Sequence, residues 1–230
     1  MISTLASSHL ITADHLQLIT TLPEEARLFL PNVPWAEYEY LLSQITDSSS
    51  IRLSYDQGRL EIMTLSPRHE NIKIFFGHLL FALTEALGMK LIGLGSTTFK
   101  LPDVARGTEP DDCYYIRRAD LIEDQSELDM AIDPGPDLVV EIDLTHPSLD
   151  KMPIYASLGV IELWRYDGAR MRFYLLTGEQ YQEIDSSDLF PFLTAAQLTQ
   201  FIPTTKYRNL IPLIQELRQW IALHKPQAGT

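Results

Sequence analysis

The chain has 230 residues, of which 45% are apolar, enough to bury one sizeable core in a single domain spanning residues 1–230. No apolar run reaches the roughly 20 residues that cross a bilayer, and the first residues lack a signal peptide's pattern, so we expect a cytoplasmic protein without membrane association. The formal net charge of −13, from 31 acidic and 18 basic residues, argues against tight nucleic-acid binding by an isolated monomer. It excludes no local groove, because bound divalent cations reverse the sign of the charge where they lie.

The predicted elements of the first half follow an irregular lead-in over residues 1–33, where prolines interrupt any period. A short helix is predicted from Trp35 to Thr46. Alternating apolar residues around turn-forming residues then predict a β-hairpin over residues 51–64. After Pro67, apolar residues recur at helical spacing and predict the longest helix of the chain, which ends near Gly88.

The second half alternates strands with helices. Strands are predicted at 91–94, 97–100, 111–116, 137–142, 160–166 and 171–176. Helices are predicted at 147–158, 193–201 and 207–224, the last two within a C-terminal helical extension from about 193 to 230. The apolar run at 137–142 suits a central strand covered on both faces. This order predicts an α/β fold in which helices flank a mixed sheet, and the fold alone assigns no chemistry.

Two segments carry acids in positions suited to a metal site. Asp111 lies where an extended segment enters a predicted strand, after Glu109-Pro110. Glu141 closes the apolar strand, and Asp143, two residues later, is expected on the same face. Hard cations such as Mg²⁺ or Mn²⁺ prefer oxygen ligands, and a phosphodiester-cleaving site needs at least two carboxylates on rigid elements. These three acids are therefore candidate metal ligands.

Each acid also has an ordinary structural interpretation. Asp residues beside proline or glycine commonly form turns, so Asp111 and Asp112 taken alone fit a turn. Glu141 taken alone fits a strand end or a partner of an arginine. Burying an acid in a nearly all-apolar strand is nevertheless costly unless the acid is paired or metal-bound. Spacing leaves both interpretations open.

Three motifs, in this order, carry a resemblance to a known family. They are Glu-Pro-Asp-Asp-Cys-Tyr-Tyr-Ile at 109–116, Pro-Asp-Leu-Val-Val-Glu-Ile-Asp at 136–143, and the series Lys151, Tyr155-Ala156, Gly159-Val160 and Glu162-Leu163-Trp164. With the segment at 66–70, they resemble the Uma-type family of predicted restriction endonucleases, in the PD-(D/E)xK nuclease superfamily. The resemblance covers about Pro34 to Phe192. It implies a restriction-endonuclease-like fold, nucleic acid as substrate, with DNA expected, and Mg²⁺ or Mn²⁺ as cofactor.

The resemblance also implies roles for individual residues. Asp111 corresponds to the acid of the PD motif and Glu141 to the second metal carboxylate, with the backbone carbonyl of Ile142 completing the coordination. Glu70 matches the acid that many superfamily members carry on their first core helix. The superfamily lysine is expected two positions after the second carboxylate, where this chain has Asp143.

Lys151 is the natural substitute for the missing lysine, since the Uma-type pattern resembles nucleases whose lysine has moved to the next helix. With Asp150 near the N-cap, Lys151 and Pro153 are predicted in the first helical turn. From there the ammonium could orient an attacking water or neutralise developing charge. The alternative is a lysine that faces solvent. Two histidines, His69 and His146, rank lower as site residues.

Three functional hypotheses remain open at this point. The first is metal-dependent phosphodiester hydrolysis by Asp111 and Glu141, assisted by Lys151 and Glu70. The second is a catalytically inactive nuclease-fold protein that serves as a scaffold or interaction subunit, suggested by the net charge and by the acid at position 143. The third is a subunit that cuts only as a homodimer or with a basic partner that completes a DNA-binding cleft.

Overall fold

The computed structural model describes Leu16, Ile19 and residues 21–45, 50–144, 150–205 and 208–227. The helices in this part of the chain are α1 (Trp35–Ile45), α2 (Pro67–Leu87), α3 (Met152–Ser157), α4 (Ala195–Phe201) and α5 (Leu210–His224). Short 3₁₀ helices lie at Pro102–Val104 and Ala119–Leu121. The strands are β1 (Arg27–Leu30), β2 (Ile51–Asp56), β3 (Arg59–Thr64), β4 (Ile92–Gly93), β5 (Phe99–Leu101), β6 (Arg106–Thr108), β7 (Asp112–Tyr115), β8 (Leu138–Ile142), β9 (Glu162–Tyr166), β10 (Met171–Thr177) and β11 (Gln180–Ile184).

These strands form two sheets. A five-stranded antiparallel sheet has the order β1-β3-β2-β6-β5, and a six-stranded mixed sheet has the order β11-β10-β9-β8-β7-β4. Strand β8 lies inside the mixed sheet, antiparallel to β7 and parallel to β9. Val140 packs in a core with α2, and Val139 packs in a second core with α3. The predicted mixed sheet flanked by helices, with a central strand covered on both faces, is confirmed.

Helix α2 begins and ends at residues suited to those positions. The Ser66 hydroxyl at the N-cap accepts a hydrogen bond from the His69 N–H, and Pro67 follows, where its missing N–H costs nothing. Gly88 ends the helix in the left-handed conformation, with φ 65°, which glycine adopts without strain. These caps fix the register of the helix. They place His69 in its first turn, beside the ends of β7 and β8.

The N-terminal segment differs from its predicted irregular structure. Residues Arg27–Leu30 form β1, which pairs antiparallel with β3. Leu28 and Leu30 pack on the core beneath the antiparallel sheet, whereas Phe29 is exposed. The alternation is only four residues long and ends before Pro31, so it carries little signal in the sequence. Pairing with a distant strand stabilises it.

Other boundaries also differ. Helix α3 begins at Met152 rather than at Pro147, and residues 145–149, which include His146, lie outside the described residues. The predicted end of α1 at Thr46 and the predicted start of α5 at Tyr207 lie outside them as well. Strands β6 and β11 were not predicted, because β6 is a three-residue Arg-Gly-Thr segment and β11 is a mostly polar edge strand. None of the described helices has the length and apolarity required to span a membrane.

Candidate active site

Asp111 and Glu141 lie side by side at the ends of two adjacent strands. Because Asp112 on β7 pairs with Val140 on β8, the next position in this register places Asp111 beside Glu141. The Ile142 N–H donates a hydrogen bond of 2.7 Å to Asp111 Oδ2 and fixes that carboxylate against β8. Both acids are buried, with 1% and 3% of their surface exposed. The fold therefore brings together two acids that are far apart in the chain.

Lys151 and Tyr155 hold the Glu141 carboxylate. Lys151 Nζ lies 2.8 Å from Glu141 Oε2, and the Tyr155 hydroxyl donates a short hydrogen bond to Oε1. Residues four apart on a helix share a face, so α3 presents both side chains to the same carboxylate. Lys151 is buried, and the alternative of a solvent-facing lysine is wrong. It is itself the N-cap residue, one position later than the predicted cap at Asp150.

His69 lies within ion-pair distance of the Asp111 carboxylate. Its Nε2 lies 3.1 Å from Asp111 Oδ2. Burial alone would lower the pKa of His69, but Asp111 and Glu70 outweigh it and raise that pKa to about 9. Burial alone would raise the pKa of Asp111, but His69 and then Lys151 outweigh it and lower that pKa. Asp111 and His69 therefore form a buried ion pair at neutral pH.

The pKa of Glu141 shifts the opposite way to that of Asp111. Burial raises it, and the nearby charges of Asp111 and Asp143 raise it further, although Lys151 opposes them. Burial disfavours the charge of Lys151, but Glu141, Glu61 and the other nearby acids raise the pKa of its ammonium. The site is thus crowded with acids whose mutual repulsion an added cation would relieve.

The residues present fit a magnesium ion held by two carboxylates. Asp111 Oδ1 is buried and has no hydrogen-bond partner in the described part of the chain. Each oxygen of Glu141 accepts one bond from Lys151 or Tyr155, and a carboxylate oxygen has a second acceptor position. Among the described residues, no group of three or more His, Cys, Asp or Glu side chains is arranged to hold a metal. Mg²⁺ needs no such group, since it is commonly bound by one or two carboxylates with water and phosphate oxygens.

The two other candidate acids have partners of a different kind. Asp143 accepts hydrogen bonds of 2.6 Å from Arg27 Nη2 and from Arg165 Nε. Glu70 Oε1 lies 3.6 Å from His69 Nδ1, and its side chain is 42% exposed. Glu70 therefore reaches the site through His69. It stays a prediction that Asp143 or the Ile142 carbonyl coordinates a metal. A direct role for Glu70 in the site also stays a prediction.

Sequence reasoning did not name Tyr155, Arg27 or Arg165 as residues of this site, and it ranked His69 below the acids. Tyr155 carried a usable signal, because it follows Lys151 by one helical turn. His69 carried a weaker one, as the residue beside Glu70 on the first core helix. Arg27 carried none, because its acidic partners Glu61 and Asp143 lie on other strands or beyond their ends.

A comparison with protein families supports the resemblance seen in the motifs. The family Uma2, described as "Putative restriction endonuclease", matches residues 35–206. The match contains Asp111, Glu141 and Lys151, whereas Arg27 lies before it. A search of curated proteins gave no match. Because the family match covers most of the chain, this protein belongs to the Uma2 family.

Proposed function

We propose that this protein is a metal-dependent nuclease that hydrolyses phosphodiester bonds, with DNA as the expected substrate. The observation that carries the proposal is that Asp111 and Glu141 lie next to each other in the interior, with Lys151 bound to Glu141. Asp111 Oδ1 has no hydrogen-bond partner among the described residues. Membership of the Uma2 family supports nuclease function in general. The metal and the residue roles are our proposal.

Asp111 and Glu141 would hold Mg²⁺ or Mn²⁺, with the Ile142 carbonyl as a further oxygen ligand. When bound, the ion supplies positive charge to the scissile phosphate and lowers the pKa of a coordinated water. The small number of protein ligands leaves room for water and phosphate oxygens.

The surrounding side chains set the geometry of the two carboxylates. The Tyr155 hydroxyl and the Lys151 ammonium each hold one oxygen of Glu141, which fixes the plane of that carboxylate. His69 and the Ile142 N–H both contact Asp111 Oδ2, which leaves Oδ1 for a ligand. Lys151 stays protonated because its pKa is raised, and its charge stabilises negative charge that develops on the phosphate. Glu70 contributes through its charge, which helps to raise the pKa of His69.

A cleavage assay tests the proposal. Purified protein is incubated with DNA and, separately, with RNA, in Mg²⁺, in Mn²⁺ and in excess chelator. The comparison includes Asp111→Asn, Glu141→Gln and a matched control, Glu162→Gln, which alters another buried glutamate. We expect metal-dependent cleavage by the wild type and the control, with losses on the order of 10³-fold in the other two variants. Undiminished cleavage by either of those variants, or a wild type that cuts neither substrate, overturns the proposal.

A catalytically inactive scaffold is the second candidate. Both oxygens of Glu141 are already held by side chains, the two acids are almost fully buried, and the net charge is −13. This alternative predicts that Mn²⁺ shows no binding that depends on Asp111.

The third hypothesis, activity only as a homodimer or with a basic partner, is tested by size-exclusion chromatography with light scattering. A protein that stays monomeric at high concentration counts against the dimer. Cleavage by that monomer removes the need for any partner.

A further inference from the structure

Asp143 occupies a position that the proposed function leaves unexplained. Two residues after the second metal carboxylate, where the superfamily pattern has a lysine, this chain carries the opposite charge. The charges of Glu61, Asp111 and Asp143 act on the Lys151 ammonium together with that of Glu141, and all four raise its pKa.

Two arginines bind Asp143, one at each carboxylate oxygen. Arg27 Nη2 donates to Asp143 Oδ1 and Arg165 Nε donates to Oδ2, each at 2.6 Å, so both carboxylate oxygens are engaged. Arg27 Nη1 also donates to the Glu61 carboxylate, 3.3 Å from Oε1 and 3.4 Å from Oε2. Charge-assisted bonds of this kind are the stronger ones in proteins. Arg27 alone therefore engages two of the acids that surround Lys151.

The two arginines come from different sheets. Arg27 begins β1 in the antiparallel sheet, where it pairs with Met63 on β3. Arg165 lies on β9 of the mixed sheet, directly beside Glu141 in the parallel register. The side chains of Arg27 and Asp143 are each 5% exposed, so the contact that joins the sheets is buried. Arg27 also precedes the region that matches the family, residues 35–206.

We propose that Arg27 and Arg165 are positioning residues of the active site, which hold Asp143 and Glu61 so that the Lys151 ammonium stays on Glu141. This inference rests on the proposed function, because it assigns the pairing of Lys151 with Glu141 a role in cleavage. In this inference the function of Asp143 is to bind the side chains of Arg27 and Arg165.

Paired substitutions separate positioning from simple structural support. We expect Arg27→Gln and Arg165→Gln each to lower kcat by about 10- to 100-fold with little change in KM, as is common for residues behind a metal site. Adding Asp143→Asn to Arg165→Gln removes the competing charge and should restore most of the lost kcat. Adding it to Arg27→Gln should restore part of the loss, because the released Glu61 keeps its charge. If the arginines only stabilise the fold, kcat of the double variants should be no higher than kcat of the single variants. Arg165→Gln keeps the test usable if Arg27→Gln fails to fold, because the Arg165 side chain is partly exposed.

Arg117→Gln is the matched control, since it breaks an exposed arginine–aspartate pair with Asp188 and should leave kcat unchanged. A readout without DNA or metal follows the Lys151 ammonium by ¹⁵N nuclear magnetic resonance, with the signal assigned by its loss in Lys151→Met. We expect the Lys151 resonance to move in the single arginine variants. It should return towards its wild-type position when Asp143→Asn is added.

The two readouts distinguish failure of this inference from failure of the proposed function. If the wild type cuts no nucleic acid but the resonance moves and returns as described, the two arginines do position Lys151 on Glu141, and only the role of that pairing in cleavage falls with the nuclease proposal. If the resonance does not return in the double variants, the positioning inference is overturned, whether or not the wild type is active.

Discussion

Glu141 and Glu162 are two buried glutamates on adjacent strands of the mixed sheet, and their hydrogen-bond donors differ in charge. Glu162 accepts a hydrogen bond of 2.6 Å from the Trp164 indole N–H and one of 3.0 Å from the Leu189 backbone N–H. Those donors are neutral. Glu141 is instead held by a lysine ammonium and a tyrosine hydroxyl, with a second acid beside it.

The comparison shows that burial of an acid does not by itself mark an active site. Burial raises the pKa of Glu162 as it raises that of Glu141. Glu141 differs in having a lysine ammonium as a partner, and the Asp111 carboxylate beside it has an oxygen without a hydrogen-bond partner in the described part of the chain. The charged partner of Glu141, in contrast to the neutral donors to Glu162, distinguishes a candidate ligand-binding acid from a hydrogen-bonded core acid, and the following predictions test this distinction.

The largest effect is expected from Lys151→Met. This change leaves Glu141 buried without its cation, which should lower the free energy of unfolding by about 3–5 kcal/mol at neutral pH. Adding Glu141→Gln removes the unpaired charge and should recover most of that loss. Urea unfolding measures both variants, and a stability of Lys151→Met close to that of the wild type would contradict the pairing.

The next effect is a pH dependence that arises from His69. Its pKa is about 9 in the folded protein and 6.5 ordinarily, so the group binds a proton more tightly when folded. The resulting stabilisation is fully present below pH 6.5 and is lost as the pH rises through 9, by about 3 kcal/mol at most. His69→Gln should flatten this part of the stability profile. An equally steep decline in that variant would show that another group is responsible.

A smaller effect is expected from Glu162→Gln. The glutamine amide keeps one acceptor oxygen where Glu162 has two, so one donor among Trp164 and the Leu189 N–H loses its partner, at a cost of about 1–3 kcal/mol. Cleavage per folded molecule should not change, because this acid contacts none of the site residues described above. Reduced kcat with unchanged stability would reverse the roles assigned to the two glutamates.

The smallest effect is expected at an exposed pair. Asp188→Asn removes the negative charge that Arg117 contacts at 2.6 Å. Both side chains are close to half exposed, so the free energy of unfolding should change by about 0–1 kcal/mol. This variant sets the scale against which the buried pairs are judged. A loss as large as that of Lys151→Met would mean that burial does not govern the strength of these pairs.

The sequence predicted the parts of the molecule that local pattern determines. The hairpin, the long helix and the apolar strand ending in Glu141 follow from periodicity and caps that lie within a few residues of each other. The acid in that strand was informative because burial of an unpaired charge is costly. The family resemblance, confirmed by the match to residues 35–206, added Glu70 and Lys151 as candidates.

The sequence could not predict contacts between distant segments. Arg27 reaches Asp143 from a four-residue edge strand whose alternation is too short to recognise. The contact of His69 with Asp111 depends on how α2 lies against the strand ends, which no spacing in the chain encodes. The same holds for Glu162, whose neutral partner at Leu189 lies beyond β11 in the chain.

Calorimetric titration with Mn²⁺ of the wild type, Asp111→Asn and Glu162→Gln tests the metal site most directly. We expect binding at one site in the wild type and in Glu162→Gln, and loss of that binding in Asp111→Asn. Equal binding heats in all three proteins would contradict a metal site at Asp111 and Glu141.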